Sequence, residues 1–167
     1  MKILMLEWKS FGNEDIAAAF KELGHEVKAV PFSNKELHHD EEEEKKLVSM
    51  IREFSPDFLF SFNYFPIVSL ACKKADMRYV CWVYDSPYVM LYSYTIAYPG
   101  NYVFVFDKEV YFEFHNAGIN TIYYLPSISA DFPSKNGLRT PMGEIHPTRF
   151  HPSVHLPCLP DSTAAYI

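Results

Sequence analysis

Tyr79-Val80-Cys81-Trp82-Val83-Tyr84-Asp85-Ser86-Pro87-Tyr88 is the stretch on which the fold turns. From Tyr79 to Tyr84 the side chains are β-branched, aromatic or sulfur-bearing and carry no charge. Asp-Ser-Pro then breaks the run, which is the pattern of a strand buried on both faces of a parallel sheet. In open α/β sheets the ligand crevice lies at the carboxyl ends of the strands. Asp85 and Ser86, the polar residues that stop this strand, are therefore the first candidates for function.

Reading outward, strands and helices alternate. Ile3 to Trp8 is a first strand, followed by the polar turn Lys9-Ser10-Phe11-Gly12-Asn13. Asn13 is placed to cap a helix in which Ile16, Ala19, Phe20 and Leu23 recur at helical spacing before Gly24. Val27 to Val30 is the second strand, stopped by Pro31. The acids Asp40 to Glu44 open an amphipathic helix through Phe54 and read as a solvated start at its positive end. Phe58 to Phe62 is the third strand, broken at Asn63-Tyr64-Phe65-Pro66, and a helix through Val68 to Lys74 leads to the strand at Tyr79. Tyr88 to Tyr98 is an aromatic segment expected to form a short helix or ordered loop. Tyr102 to Phe106, Lys108 to Ala117 and Thr121 to Leu125 supply a fifth strand, a helix and a sixth strand. This alternation predicts an α/β fold, a doubly wound, mostly parallel sheet of about six strands with right-handed crossovers.

The composition sets bounds on this reading. The 167 residues suffice for one domain with a sizeable core. Fifteen Lys and Arg against 21 Asp and Glu, with no basic cluster, speak against nucleic acid or an anionic membrane as partner. No stretch approaches the ~20 apolar residues of a membrane span. Cys72, Cys81 and Cys158, an odd number in unrelated settings, read as reduced thiols, so a cytoplasmic location is expected. From Ser127 onward the pattern changes: seven of the 12 prolines lie from Pro126 to the end, and no periodic apolar segment is present. Residues 1–126 are thus the expected domain and 127–167 an irregular tail without a core. His146, His151, His155 and Cys158 in that tail lack the framing of a zinc module, so no metal site is expected.

Several motifs occur together in order: Lys2-Ile3-Leu4-Met5-Leu6, Phe60-Ser61-Phe62-Asn63-Tyr64-Phe65, Trp82-Val83-Tyr84-Asp85-Ser86-Pro87, Phe104-Val105-Phe106-Asp107 and Phe114-His115-Asn116-Ala117-Gly118. Over residues 1 to about 126 they resemble the N-terminal domain of the CgeB-like (spore maturation) glycosyltransferases. The resemblance implies a Rossmann-like half of a GT-B fold, the acceptor-side half of a nucleotide-sugar-dependent transferase. A saccharide or glycosylated acceptor would be the partner. The nucleotide-sugar donor would belong to a second Rossmann-like domain, whose pattern residues 127–167 do not show, so no cofactor is expected on this chain and it should be inactive alone. A Rossmann-like module that binds a small ligand or a protein without chemistry is the competing reading.

If the strands run in the order 3-2-1-4-5-6, the crevice opens between strands one and four, with Ser10 to Asn13 facing Asp85 to Tyr88. Asp85 is the candidate catalytic residue, as general base or hydroxyl contact; its plainer role is to cap the following turn. Gly12 would let backbone amides approach a ligand, although a glycine that serves only the turn is its plainer reading, and Asn13 stands next to it in the ligand-binding set. Asn63 would hydrogen-bond the ligand, with Tyr64 and Phe65 able to stack on a sugar face, or would serve only the structure of the turn, and Ser86 and Tyr88 complete the expected ligand-binding set. Three features point elsewhere. No Gly-x-Gly-x-x-Gly follows the first strand, Ser86 lacks the setting of a nucleophile elbow, and His115 reads as a surface residue.

Overall fold

The computed structural model describes residues 1–33 and 40–126, all within one compact unit. Six parallel strands form a single sheet: β1 (Lys2–Glu7), β2 (Glu26–Pro31), β3 (Phe58–Phe62), β4 (Tyr79–Val83), β5 (Asn101–Val105) and β6 (Ile122–Tyr124). The helices are α1 (Asn13–Glu22), α2 (Glu41–Phe54), α3 (Pro66–Lys74) and α4 (Lys108–Asn116), and two 3-10 turns, Val89–Tyr92 and Tyr94–Ala97, follow β4. The expected alternation is thus present throughout the described residues. The tail from residue 127, including its histidines and Cys158, lies outside them.

The lateral order differs from the expected one. It is β2-β1-β3-β4-β5-β6, so β1 pairs with β3 (Leu6 opposite Ser61) and not with β4. Apolar periodicity marks a strand but not its neighbour. Here the chain steps outward from β1 to β2 and then back across β1 to β3, which moves the switch point to the ends of β1 and β3.

Alternate residues divide between two layers. Leu4, Leu6, Leu59, Cys81, Val83, Val103 and Val105 join the main core with α2, α3 and α4. Ile3, Met5, Phe60 and Phe62 face the other way, against Ile16, Ala17 and Phe20 of α1. Burying each such side chain contributes roughly 1.5–3 kcal/mol. The β4 strand departs from its expected burial on both faces: Tyr79, Cys81 and Val83 are buried, whereas Val80 and Trp82 are half-buried. Among the described residues the helical side chains packed on that face are Ile16, Ala17 and Phe20 of α1, with Phe20 against Phe58 and Phe60 of β3.

Local chemistry sets the element ends. The α1 helix closes in a Schellman arrangement: the His25 N–H reaches the Phe20 carbonyl, the Gly24 N–H reaches that of Lys21, and Gly24 supplies the left-handed φ of 79°. Asp40 caps α2 by accepting from the Glu42 and Glu43 amides. Beyond that cap the acidic run is not all solvated. Glu44 is 3% exposed and pairs with Lys74 of α3, holding the Lys74 ammonium above its ordinary pKa. A carboxylate one turn into α2 faces α3, and the pair ties the two helices together.

Candidate functional site at the switch point

The rim at the carboxyl ends of β1, β3 and β4 is assembled around Asn63. This residue adopts φ 57°, a left-handed backbone that asparagine tolerates better than most residues. That turn swings its amide toward the end of β4. The Asn63 Nδ2 donates to Asp85 Oδ2 at 2.6 Å, and the Tyr84 N–H donates to Asn63 Oδ1 at 3.2 Å. Behind it, the Ser61 hydroxyl and the Tyr79 hydroxyl both reach the Asn63 carbonyl, and the Phe65 N–H donates to the Tyr79 oxygen. Burial of Tyr79 pushes its phenol well above the ordinary value, so it remains a neutral donor.

Asp85 is exposed, with one carboxylate oxygen held by Asn63. Its other oxygen has no hydrogen-bond partner among the described residues and can accept from a ligand hydroxyl. Beside it the Tyr84 and Trp8 rings stack at 6.2 Å, 3° from parallel. The Trp8 Nε1 donates to the Phe62 carbonyl at 2.6 Å, bridging the ends of β1 and β3. Desolvation, reinforced by the Asp85 charge, raises the Tyr84 pKa. Phe11 projects from the β1 loop fully exposed.

The expected set is brought to one rim, but its members divide into two kinds. Asp85, Ser86 and Tyr88 reach the surface or near it. Asn63 is 1% exposed and Tyr64 and Phe65 are as deeply buried, so none of the three touches a ligand directly. Tyr64 stacks on Tyr79 and bonds its hydroxyl to Thr95, and Phe65 packs edge-on to Trp8; the sugar-stacking role expected of them is corrected by this burial. Asn13 is the first residue of α1, not its cap. Its Nδ2 donates to the Trp8 carbonyl and its Oδ1 accepts from Ser10, which folds the β1 loop on itself. Gly12 is small for a packing reason: a Cβ there would stand 2.6 Å from the Phe62 ring. Ser86 donates to Asp107 at 2.5 Å, and Asp107 also accepts from the Glu109 and Val110 amides at the start of α4. These bonds lower the Asp107 pKa, that from Ser86 most. The Tyr88 hydroxyl donates to the Tyr64 carbonyl, and burial raises its pKa. His115 is exposed and stacks on Tyr111.

Trp8 and Tyr84 are rim residues that strand reading passed over, because aromatics at strand ends look like core, and Phe11, within the turn expected at the crevice, was given no role. Their signal is position: each stands at, or within four residues of, the end of β1 or β4. Among the described residues no three His, Cys, Asp or Glu side chains gather as a metal site, and no helix is long and apolar enough to cross a membrane. Neither a protein-family model nor a curated protein matches the sequence.

Proposed function

We propose that this domain is the acceptor-side half of a nucleotide-sugar-dependent glycosyltransferase, binding a saccharide acceptor at the switch-point rim. The observation that carries the reading is Asp85: an exposed carboxylate fixed by a buried Asn63, with one oxygen unpartnered among the described residues, next to the Trp8–Tyr84 stack. Sugars present hydroxyls around apolar C–H faces, so a carboxylate beside aromatic surface suits them. A charge-assisted hydrogen bond from a sugar hydroxyl to Asp85 is worth roughly 1.5–3 kcal/mol. In this reading the same carboxylate, hydrogen-bonded to an acceptor hydroxyl, takes its proton during transfer. The donor sugar then has to be held across the cleft by another domain, since transfer needs both substrates in one geometry. The resemblance of residues 1 to about 126 to CgeB-like glycosyltransferases supports the same assignment.

Saccharide titrations followed by NMR test it. Binding is expected to move the Trp8 indole N–H and the Asn63 side-chain amide signals. Asp85→Asn, which keeps shape and removes charge, is expected to weaken binding about 10-fold or more. Unchanged affinity in that variant, or a melting loss that accounts for the whole effect, would return Asp85 to the role of turn cap. A ligand-binding module without chemistry would show the binding but no transfer when the domain is joined to a donor domain.

A further inference from the structure

Next to the rim, on the α3 side, lies an open trough of about 510 Å³ between α3 and the two 3-10 turns. That volume falls within the ~300–1,000 Å³ of small-molecule sites. Leu70 and Val89 contribute apolar surface, and Tyr92, Ser93 and Tyr94 form a wall. Among the described residues no lining side chain is charged, so they offer a phosphate or other anion no counter-charge.

The two tyrosines are exposed (57% and 73%) yet held in place. The Tyr92 hydroxyl donates to Glu113 Oε2 at 2.9 Å and its ring packs on Phe114; the Tyr94 ring meets Tyr98 edge-on. Beneath them Thr95 is anchored from several sides. Its hydroxyl bonds that of Tyr64 at 2.6 Å, and its carbonyl accepts from Asn101 Nδ2 at 2.8 Å. Large aromatic faces presented without freedom to collapse are costly to leave in water, and they bind with little further ordering. An uncharged wall of amphipathic rings with a serine hydroxyl between them matches a neutral chain of sugar rings, apolar on its faces and polar at its edges. The trough adjoins the rim along the chain: Phe65 and Tyr88 of the rim are followed directly by Pro66 and Val89 of the trough lining.

We propose that this trough is a second subsite, in which the residues behind the terminal sugar of an oligosaccharide acceptor stack on Tyr92 and Tyr94. The proposal rests on the reading of the rim as a saccharide site and adds that the acceptor is an oligosaccharide.

A printed glycan array, followed by titration of the full 167-residue chain with malto-, cello- and chito-oligosaccharides of one to four residues, separates the two claims. In the series that binds, affinity is expected to rise about 2- to 10-fold from one residue to three. Tyr94→Ala should remove that rise, so that every length binds like the monosaccharide, whereas Asp85→Asn should weaken every length. Affinity independent of length, or a Tyr94→Ala loss equal at all lengths, would overturn the trough and leave the rim reading standing. Failure of every saccharide to bind would overturn the rim reading itself.

Discussion

Asn63 is the residue on which the rim geometry depends, and two separable properties fit it to the place. One is its left-handed backbone at φ 57°; the other is an amide that donates to Asp85 and accepts from the Tyr84 N–H. Asn63→Ala loses both. Leaving the Tyr84 N–H without its partner costs about 1–3 kcal/mol, and the left-handed backbone adds about 1–2 kcal/mol for a residue with a Cβ. Asn63→Gly loses only the amide. Urea unfolding of the two variants should therefore show both destabilised, with alanine the worse by about 1 kcal/mol; equal losses would mean the backbone there carries no strain. Sequence reading found Asn63 and Asp85 together, because each is a polar residue ending an apolar run. It left Asn63 open between a ligand contact and a structural role, because residue type at a strand end does not disclose burial. Tyr64 was misread for a related reason: a tyrosine suits both a sugar platform and a core hydrogen bond, and only the partner Thr95 decides between them.

At the scale of elements, helix α4 shows how rim and scaffold share one group. Asp107, two residues past β5, caps α4 through the Glu109 and Val110 amides and accepts from Ser86 on the β4 loop. All three bonds favour the carboxylate, so its pKa in the folded protein lies below the ordinary 3.8. A depressed carboxyl pKa gives stability that is complete above the unfolded value and is lost as pH falls through the folded one. The melting temperature of the native chain should therefore exceed that of Asp107→Ala at pH 6, and the gap should shrink as pH falls below about 4. A gap unchanged down to pH 2 would show that the cap acts without its charge. The start of α2 was legible in the acids Asp40 to Glu44; the capping role of Asp107 was not drawn from the sequence, although a capping side chain acts on amides only two and three residues ahead. The Glu44–Lys74 tie between α2 and α3 was not legible, because it joins residues 30 positions apart on elements whose packing sequence pattern leaves open.

The whole molecule follows from one turn of direction. The chain steps from β1 to β2 on one side, then from β2 through β3, β4 and β5 to β6 on the other. With every crossover right-handed, that path sets α1, alone among the described helices, on one face and α2, α3, the 3-10 turns and α4 on the opposite one. Element types and their order were readable from periodicity, but this lateral path was not, and with it went the expected double burial of β4. The consequence is a surface over β4 to β6 in which Val80, Trp82, Tyr102 and Phe104 are half-buried and Tyr123 is exposed, with Tyr102 and Tyr123 stacked at 6.0 Å. The Trp82 indole N–H there has no partner among the described residues. Truncation should therefore cost less on this face than on the covered one, whatever the size of the side chain removed. Leu59→Ala, in the main core, is expected to lose about 2–5 kcal/mol. Phe104→Ala removes a larger side chain but only part of its area leaves water on folding, so it should lose under about 2 kcal/mol, and binding of an apolar dye to the native protein should fall with it. A Phe104→Ala loss as large as that of Leu59→Ala would mean that this face is covered in solution, and the one-sided placement of helices would then not describe the whole protein.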